Sequence, residues 1–216
     1  MEWTEDEIRD RLKARRILVI EDDPDLAPRI ERLFQMYGAA KVVIKRCVVG
    51  PNEGGLDALC KRGGEFDLVV VDIMLPWDED ALKRCDGLQK EWNALQKEAA
   101  ELRHKKDAQR RLASLRKELQ WLSEAPRKEI DDKAGVKLIK QWREALKDSS
   151  VGDARPEPPI LFLTARQPES FAQEELQQIM VSARWITKPV LELQVLTAAA
   201  ELLAEFDERK GAVSCG

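Results

Sequence analysis

The stretch FDLVVVDIMLP, residues 66 to 76, carries a continuously apolar run onto one carboxylate, Asp72, and leaves it at once into a loop. A run apolar at every position reads as a parallel strand covered on both faces, since a half-exposed strand would alternate. The C-terminal ends of such strands are where an open parallel sheet holds its ligands. Three further fragments repeat the pattern: RRILVIEDDPD at 15–25, ILFLTAR at 160–166 and WITKPV at 185–190. Each is an apolar strand whose last residue, or the next one, is polar.

Working outward, the rhythm is strand then helix. A strand at 16–21 precedes an amphipathic helix bearing Leu26, Ile30, Leu33 and Phe34 and closed by Gly38. A second strand, KVVIKRCVV at 41–49, precedes a short helix through Leu56 and Leu59. The strand at 68–71 follows. Later come a helix with Leu138, Ile139, Trp142 and Leu146, the strand at 160–164, a helix over 169–180, a short strand at 183–187 and a last helix over 190–208. DSSVGDARPEPP at 148–159 is a loop by composition. Five strands alternating with helices predict an α/β fold with a doubly wound parallel sheet. Ahead of it, Trp3, Ile8 and Leu12 among charges suit a short amphipathic helix over 3–14.

Between Pro76 and Gly135 the rhythm stops. About half the side chains there are charged and Gly and Pro are scarce, as in a long solvated helix. Leu88, Trp92, Leu95, Ala99 and Leu102 form one heptad-like seam, and Leu112, Leu115, Leu119 and Leu122 another, out of step with the first. A single helix over 84–123 would run about 60 Å and leave a long way back to the sheet. Two antiparallel helices reversing near 104–107 return the chain directly, so a hairpin is expected; a long helix pairing with a second subunit is the alternative. The organisation read from the sequence is an N-terminal helical extension (1–14), a sheet domain (15–76 and 134–208), a helical insertion (77–133) and a C-terminal tail (209–216).

The chain has 216 residues and a net charge of −4, so no global basic field draws it to nucleic acid or membrane. The cluster Arg103, Lys105, Lys106, Arg110 and Arg111 lacks interleaved aromatics and reads as a solvated helix face. The longest apolar runs are strand-sized, far below the roughly 20 residues of a membrane span. The N-terminus lacks a signal peptide's apolar core, and a cytoplasmic location is expected. Cys47, Cys60, Cys85 and Cys215 are scattered, and the single histidine, His104, has no second ligand near it, so no zinc site is expected.

In a doubly wound sheet Glu21, Asp22, Asp72, Thr164 and Lys188 converge at one crevice. Carboxylates brought together repel and call for a hard cation, and an oxygen-only set suits Mg2+, which keeps water ligands and accepts a phosphate oxygen. An aspartate attacking phosphorus forms an acyl phosphate, and cations must neutralise the equatorial oxygens. Lys188 supplies one such charge and the Thr164 hydroxyl a hydrogen bond. Pro189, directly after Lys188, is a candidate for a cis peptide.

Over residues 15–76 and 134–208 the chain resembles the receiver domain of two-component response regulators. The resemblance implies the flavodoxin-like strand order 2-1-3-4-5. It maps the metal-binding acidic pair onto Glu21 and Asp22, with Asp23 beside them, the phosphoacceptor onto Asp72 and the carbonyl metal ligand onto the backbone of Met74. The switch hydroxyl maps onto Thr164, the switch aromatic onto Trp185, where the family usually has Tyr or Phe, and the phosphate-binding lysine onto Lys188. Mg2+ is the implied cofactor, and a histidine kinase, a phosphotransfer protein or a small phosphodonor the implied source of phosphate.

The signal would leave through the face of helix 4, strand 5 and helix 5, or through the insertion, with homodimerisation as one route. The family's Asp-Gly start to helix 3 maps to the region of Gly135 in preference to Asp86-Gly87, so the insertion springs from the rim of the site. No winged-helix output follows residue 208, so direct DNA binding is not expected. The chain would be a self-phosphorylating phosphoacceptor and not a turnover enzyme. The alternative is a phosphorylation-independent scaffold or adaptor acting through the coiled-coil-like insertion. A phosphatase with an Asp nucleophile is the weaker reading, because Met74 stands where such enzymes place a second acid.

Overall fold

The computed structural model of the chain describes residues 3–62, 65–103, 109–125, 129–148, 157–165, 183–189 and 191–213. Five parallel strands form the sheet: β1 (Arg16–Ile20), β2 (Lys41–Lys45), β3 (Leu68–Asp72), β6 (Ile160–Thr164) and β7 (Ala183–Thr187). Their order is β2-β1-β3-β6-β7. Leaving aside a two-residue ribbon, β4 (Leu75–Pro76) with β5 (Ile130–Asp131), this is the 2-1-3-4-5 arrangement expected from the sequence. The order reverses direction between β1 and β3, which places a crevice at the carboxyl ends of those two strands.

Both faces of the central strands are buried, as their unbroken apolar sequence requires. Leu18, Ile20, Val69, Val71 and Phe162 point to one side, where α3 (Gly55–Arg62) brings Leu59 and α6 (Ala134–Asp148) brings Ile139 and Trp142. Ile17, Val19, Val70 and Leu161 point to the other. There α2 (Leu26–Met36) supplies Ile30 and Phe34, and the last helix, α7 (Glu192–Val213), supplies Leu196 and Leu203. The N-terminal helix α1 (Glu5–Leu12) starts in a reciprocal cap, in which the Thr4 hydroxyl accepts from the Glu7 amide and the Thr4 amide donates to the Glu7 carboxylate. Its Ile8 and Leu12 are fully buried against this second layer.

The second strand ends at Lys45, four residues before the reach expected from KVVIKRCVV. Its neighbour β1 stops at Ile20, so beyond Lys45 the chain has no strand of the sheet to pair with. Instead the Val48 and Val49 amides donate to the Pro76 and Trp77 carbonyls, at 3.0 and 2.9 Å.

The insertion is a hairpin of α4 (Glu79–Leu102) and α5 (Gln109–Glu124). Arg111 clasps Glu98 through Nε and Nη2 at 2.8 and 3.0 Å, a pairing across the reversal that only antiparallel helices allow. Ala99, Leu115 and Leu122 are buried between the two helices and the remaining seam residues are half-buried, so the two heptad-like seams face each other. The reversal itself, with His104, lies outside the described residues, as do Cys215 and the expected helix at 169–180.

The root of the insertion is fixed. Leu75 and Pro76 pair antiparallel with Asp131 and Ile130, which brings its two ends side by side. Asp78 caps α4 by accepting from the Asp80 and Ala81 amides, and Glu79 Oε1 accepts from the Asn52 and Glu53 amides at 2.8 and 3.0 Å. Where α6 begins, the Gly135 amide donates to the Ile73 carbonyl at 3.0 Å, and a Cβ on Gly135 would stand 2.2 Å from the Asp72 carbonyl oxygen. Gly87, the competing position, has open space around it.

The two glycines therefore separate in a stability measurement. Gly135→Ala is expected to lose about 1–3 kcal/mol through the clash with the β3 backbone. Gly87→Ala, inside α4, is expected to gain about 0.5–1 kcal/mol from helix propensity. Urea unfolding of the two variants checks the contrast; equal effects would contradict the packing at Gly135.

Candidate functional site

The crevice is built where β1, β3 and β7 end. Glu21 follows Ile20 directly and is buried, Asp22 is half-buried, and Asp72, the last residue of β3, is buried. Carboxylate oxygens of these three residues lie within 4.8 Å of one another. Lys188, beyond β7, reaches in from the far side: its Nζ donates to Asp72 Oδ2 at 2.6 Å and to Glu21 Oε1 and Oε2 at 2.9 and 2.8 Å. The Met74 amide donates to Asp72 Oδ1 at 3.1 Å, so both oxygens of Asp72 are held. Lys188 is placed in turn by its own amide, which donates to the Thr164 carbonyl at 2.6 Å, and the Lys188–Pro189 bond is cis.

The other residues singled out by sequence fall around this centre. Thr164 closes β6 and is fully buried one residue beyond Leu163, the β6 neighbour of Asp72. Trp185 is half-buried and packs on Phe162 with ring centroids 5.2 Å apart, two residues before the end of its strand. Asp23, at the rim of the crevice, is engaged by backbone: its Oδ1 accepts from the Asp25 and Leu26 amides at 2.8 and 3.0 Å and opens α2. The carboxylate cluster accordingly uses Glu21 and Asp22 and leaves Asp23 to the helix.

Electrostatics at the centre are dominated by burial. Burial first, and then repulsion from Asp72, push the Glu21 carboxyl up to about 8 and the Asp22 carboxyl up to about 7. Burial pulls the Lys188 ammonium down, but Asp72 and Glu21 outweigh it and its pKa ends above the ordinary lysine value. Three carboxylates facing one ammonium favour a further cation, and the all-oxygen donor set with open solvent on one side fits Mg2+. The Glu21, Asp22 and Asp72 carboxylates are the described acids that lie close enough together to hold it.

The wall of the crevice was not legible in advance. It encloses about 410 Å3, and besides the acidic residues, Met74 and Lys188 it is lined by Cys85, Asp86, Gln89 and Asn93 of α4 and by Ile130 of β5. Positions 85, 86, 89 and 93 lie on one stripe of a helix, so the insertion presents a face to the acidic centre. The spacing is visible in the sequence, but only the position of the helix root shows which stripe faces inward. Arg46 gave no signal at all: its guanidinium donates to both Asp86 oxygens, at 3.0 and 2.7 Å, and to the Asp22 carbonyl at 2.8 Å.

No family model matches the chain, and no curated protein matches it significantly. Solved structures similar to it include a response regulator receiver domain protein from Clostridium thermocellum, 12% identical over 89% of this chain and 97% of that one, with a TM-score of 0.49. The BeF3-activated DrrB receiver domain is 15% identical over 88% and 97%, with a TM-score of 0.45. The chemotaxis response regulator CheY4 of Vibrio cholerae is 16% identical over 91% and 98%, with a TM-score of 0.41. The assignment of a doubly wound, flavodoxin-like fold rests on the strand order and register given above.

The raised acids set a pH dependence. Glu21 and Asp22 hold their protons more tightly folded than unfolded, so the metal-free protein loses stability as pH rises from the ordinary carboxylate range through about 7 and 8. A divalent cation competes with those protons. Mg2+ is therefore expected to bind more tightly, and to raise the melting temperature more, at pH 8.5 than at pH 6. Titration calorimetry and thermal melts at both values check it; a Mg2+ effect independent of pH would contradict the raised acids.

Proposed function

We propose that this protein is a receiver-type phosphoacceptor, taking a phosphoryl group on Asp72 and signalling through protein contacts. The observation that carries the reading is the Lys188 ammonium 2.6 Å from Asp72 Oδ2 in a crevice where the Glu21, Asp22 and Asp72 carboxylates lie within 4.8 Å of one another. A carboxylate oxygen of Asp72 attacks phosphorus of a phosphohistidine or small acyl phosphate. The new O–P bond forms as the donor's N–P or O–P bond breaks, and the donor leaves with the electron pair. Lys188 neutralises charge on the phosphoryl oxygens, and the Met74 amide keeps the Asp72 carboxylate oriented. Glu21, Asp22, Asp72 and the Met74 carbonyl would hold Mg2+, which would supply the second positive charge. Thr164, adjacent at the end of β6, contributes the hydroxyl that follows the phosphoryl group, with Trp185 as the aromatic that responds.

The donors by this reading are a histidine kinase, a phosphotransfer protein or a small phosphodonor. The product is a phosphoprotein, so the chain is a signalling component of a two-component phosphorelay and not a turnover enzyme. Its output surface is the hairpin of the insertion, or the face formed with β7 and α7. A cytoplasmic setting suits such partners; among the described residues no helix is long and apolar enough to cross a membrane. A constitutive scaffold is the second reading. It draws support from Trp121, on α5, which is 62% exposed on a hairpin whose seam is already closed.

Incubation with Mg2+ and acetyl phosphate separates the two. A gain of one phosphoryl mass, acid-stable and base-labile, is expected on the unaltered protein and absent from Asp72→Asn; Lys188→Ala is expected to slow labelling by about 100-fold or more. Labelling that persists in Asp72→Asn, or no labelling under conditions that label a known receiver, would overturn the reading. Labelling with no change in association or partner binding would favour the scaffold.

A further inference from the structure

We infer that Arg46 is a positioning residue that couples the seating of the helical insertion to cation binding in the carboxylate crevice. The inference rests on the proposed function and adds a regulatory connection to it. Arg46 stands just beyond β2, outside the set of strand ends that form the centre. Its Nη1 and Nη2 hold Asp86 of α4 in a two-pronged pair at 3.0 and 2.7 Å, and Nη2 also donates 2.8 Å to the backbone carbonyl of Asp22. One rigid guanidinium thus grips the insertion and the metal-binding loop together, which a single-point lysine ammonium could not do.

Arg46 Nε is buried and makes no hydrogen bond among the described residues, so the group is oriented for these two partners and not for its own full satisfaction. Asp86 and its neighbours Cys85 and Gln89 line the crevice, so a shift of α4 reshapes the wall beside the three acids. The root of α4 is pinned independently by Glu79 on the Asn52 and Glu53 amides. Arg46 therefore controls the part of α4 that faces the acids and not its attachment. A cation that orders the loop at Asp22 orders Arg46, and through it Asp86; by linkage, seating α4 favours the cation by the same factor.

Charge and positioning predict different signs. Arg46 is a positive charge near a cation site, so as a charge alone its loss in Arg46→Gln tightens Mg2+ binding, while Asp86→Asn weakens it. As a positioning device, loss of either partner frees the Asp22 loop and both variants weaken binding, by about tenfold. The double variant is then no weaker than the worse single one. Arg46→Lys, which keeps the charge and one bond, recovers part of the affinity. Hydrogen exchange supplies the second readout: amides of 81–93 slow when Mg2+ is added to the unaltered protein and not when it is added to Arg46→Gln.

Mg2+ titration by calorimetry, with circular dichroism to establish that each variant is folded, tests this. Opposite signs for the two single variants, additive losses, or exchange in α4 indifferent to Mg2+ overturns the coupling and leaves the proposed function standing. Failure of the unaltered protein to bind Mg2+ overturns both.

Discussion

A half-buried lysine ammonium clasped by two buried carboxylates, with a third close by, organises the carboxyl edge of this sheet. Burying ionised groups is costly unless they are paired and hydrogen-bonded. Glu21 and Asp72 meet that requirement by sharing Lys188, whose own placement depends on the Thr164 carbonyl at the end of β6. The ends of β1, β3, β6 and β7 are thus tied at one point by polar contacts, while the apolar strands behind them are held by the two core layers. The pairing is incomplete, because one ammonium faces three acids, and Glu21 and Asp22 hold their protons well above the ordinary carboxylate range. A centre left in that state is disposed to exchange protons for a cation and to accept a group that redistributes the charge.

The sheet was legible because buried parallel strands write themselves as unbroken apolar runs, and because the chemistry sits where those runs end. Asp72, Lys188 and Glu21 could be named from that rule, and the structure brings them within hydrogen-bonding distance. Gly135 could be named from pattern, and the approach of its backbone to the Asp72 carbonyl supplies the physical reason. The hairpin was legible from its two seams, although its turn carries no punctuating Gly or Pro. The β4–β5 ribbon escaped notice because two residues per strand leave no periodicity to detect. Arg46 and Asp86 escaped because a salt bridge between residues 40 apart leaves no trace in either neighbourhood.

That missed pair alters the view of the insertion. A helical hairpin entering at the rim of a site could have been a loose appendage, but its base is closed by the ribbon and its first turn is held by backbone amides from the loop after β2. From that fixed root α4 runs beside the acidic centre and supplies part of its wall. The segment between Pro76 and Gly135 therefore belongs to the site as much as to any surface it offers a partner. Its outer face keeps charged pairs such as Arg111 with Glu98 and Glu118, which are solvent-exposed and contribute little stability, so they leave that face soluble without fixing it.

Under the proposed function, Lys188 and the three carboxylates form one phosphoryl-accepting centre. The most direct measurement is a crystal structure of the protein saturated with Mg2+ and beryllofluoride, a tetrahedral mimic of a phosphoryl group on a carboxylate. The expected structure has the mimic bonded to an Asp72 oxygen, Lys188 Nζ moved from Glu21 onto a fluorine, and the metal among Glu21, Asp22, Asp72 and the Met74 carbonyl. Density absent from Asp72 at saturating concentrations, or Lys188 still clasping Glu21 and Asp72 with the mimic bound elsewhere, would contradict it.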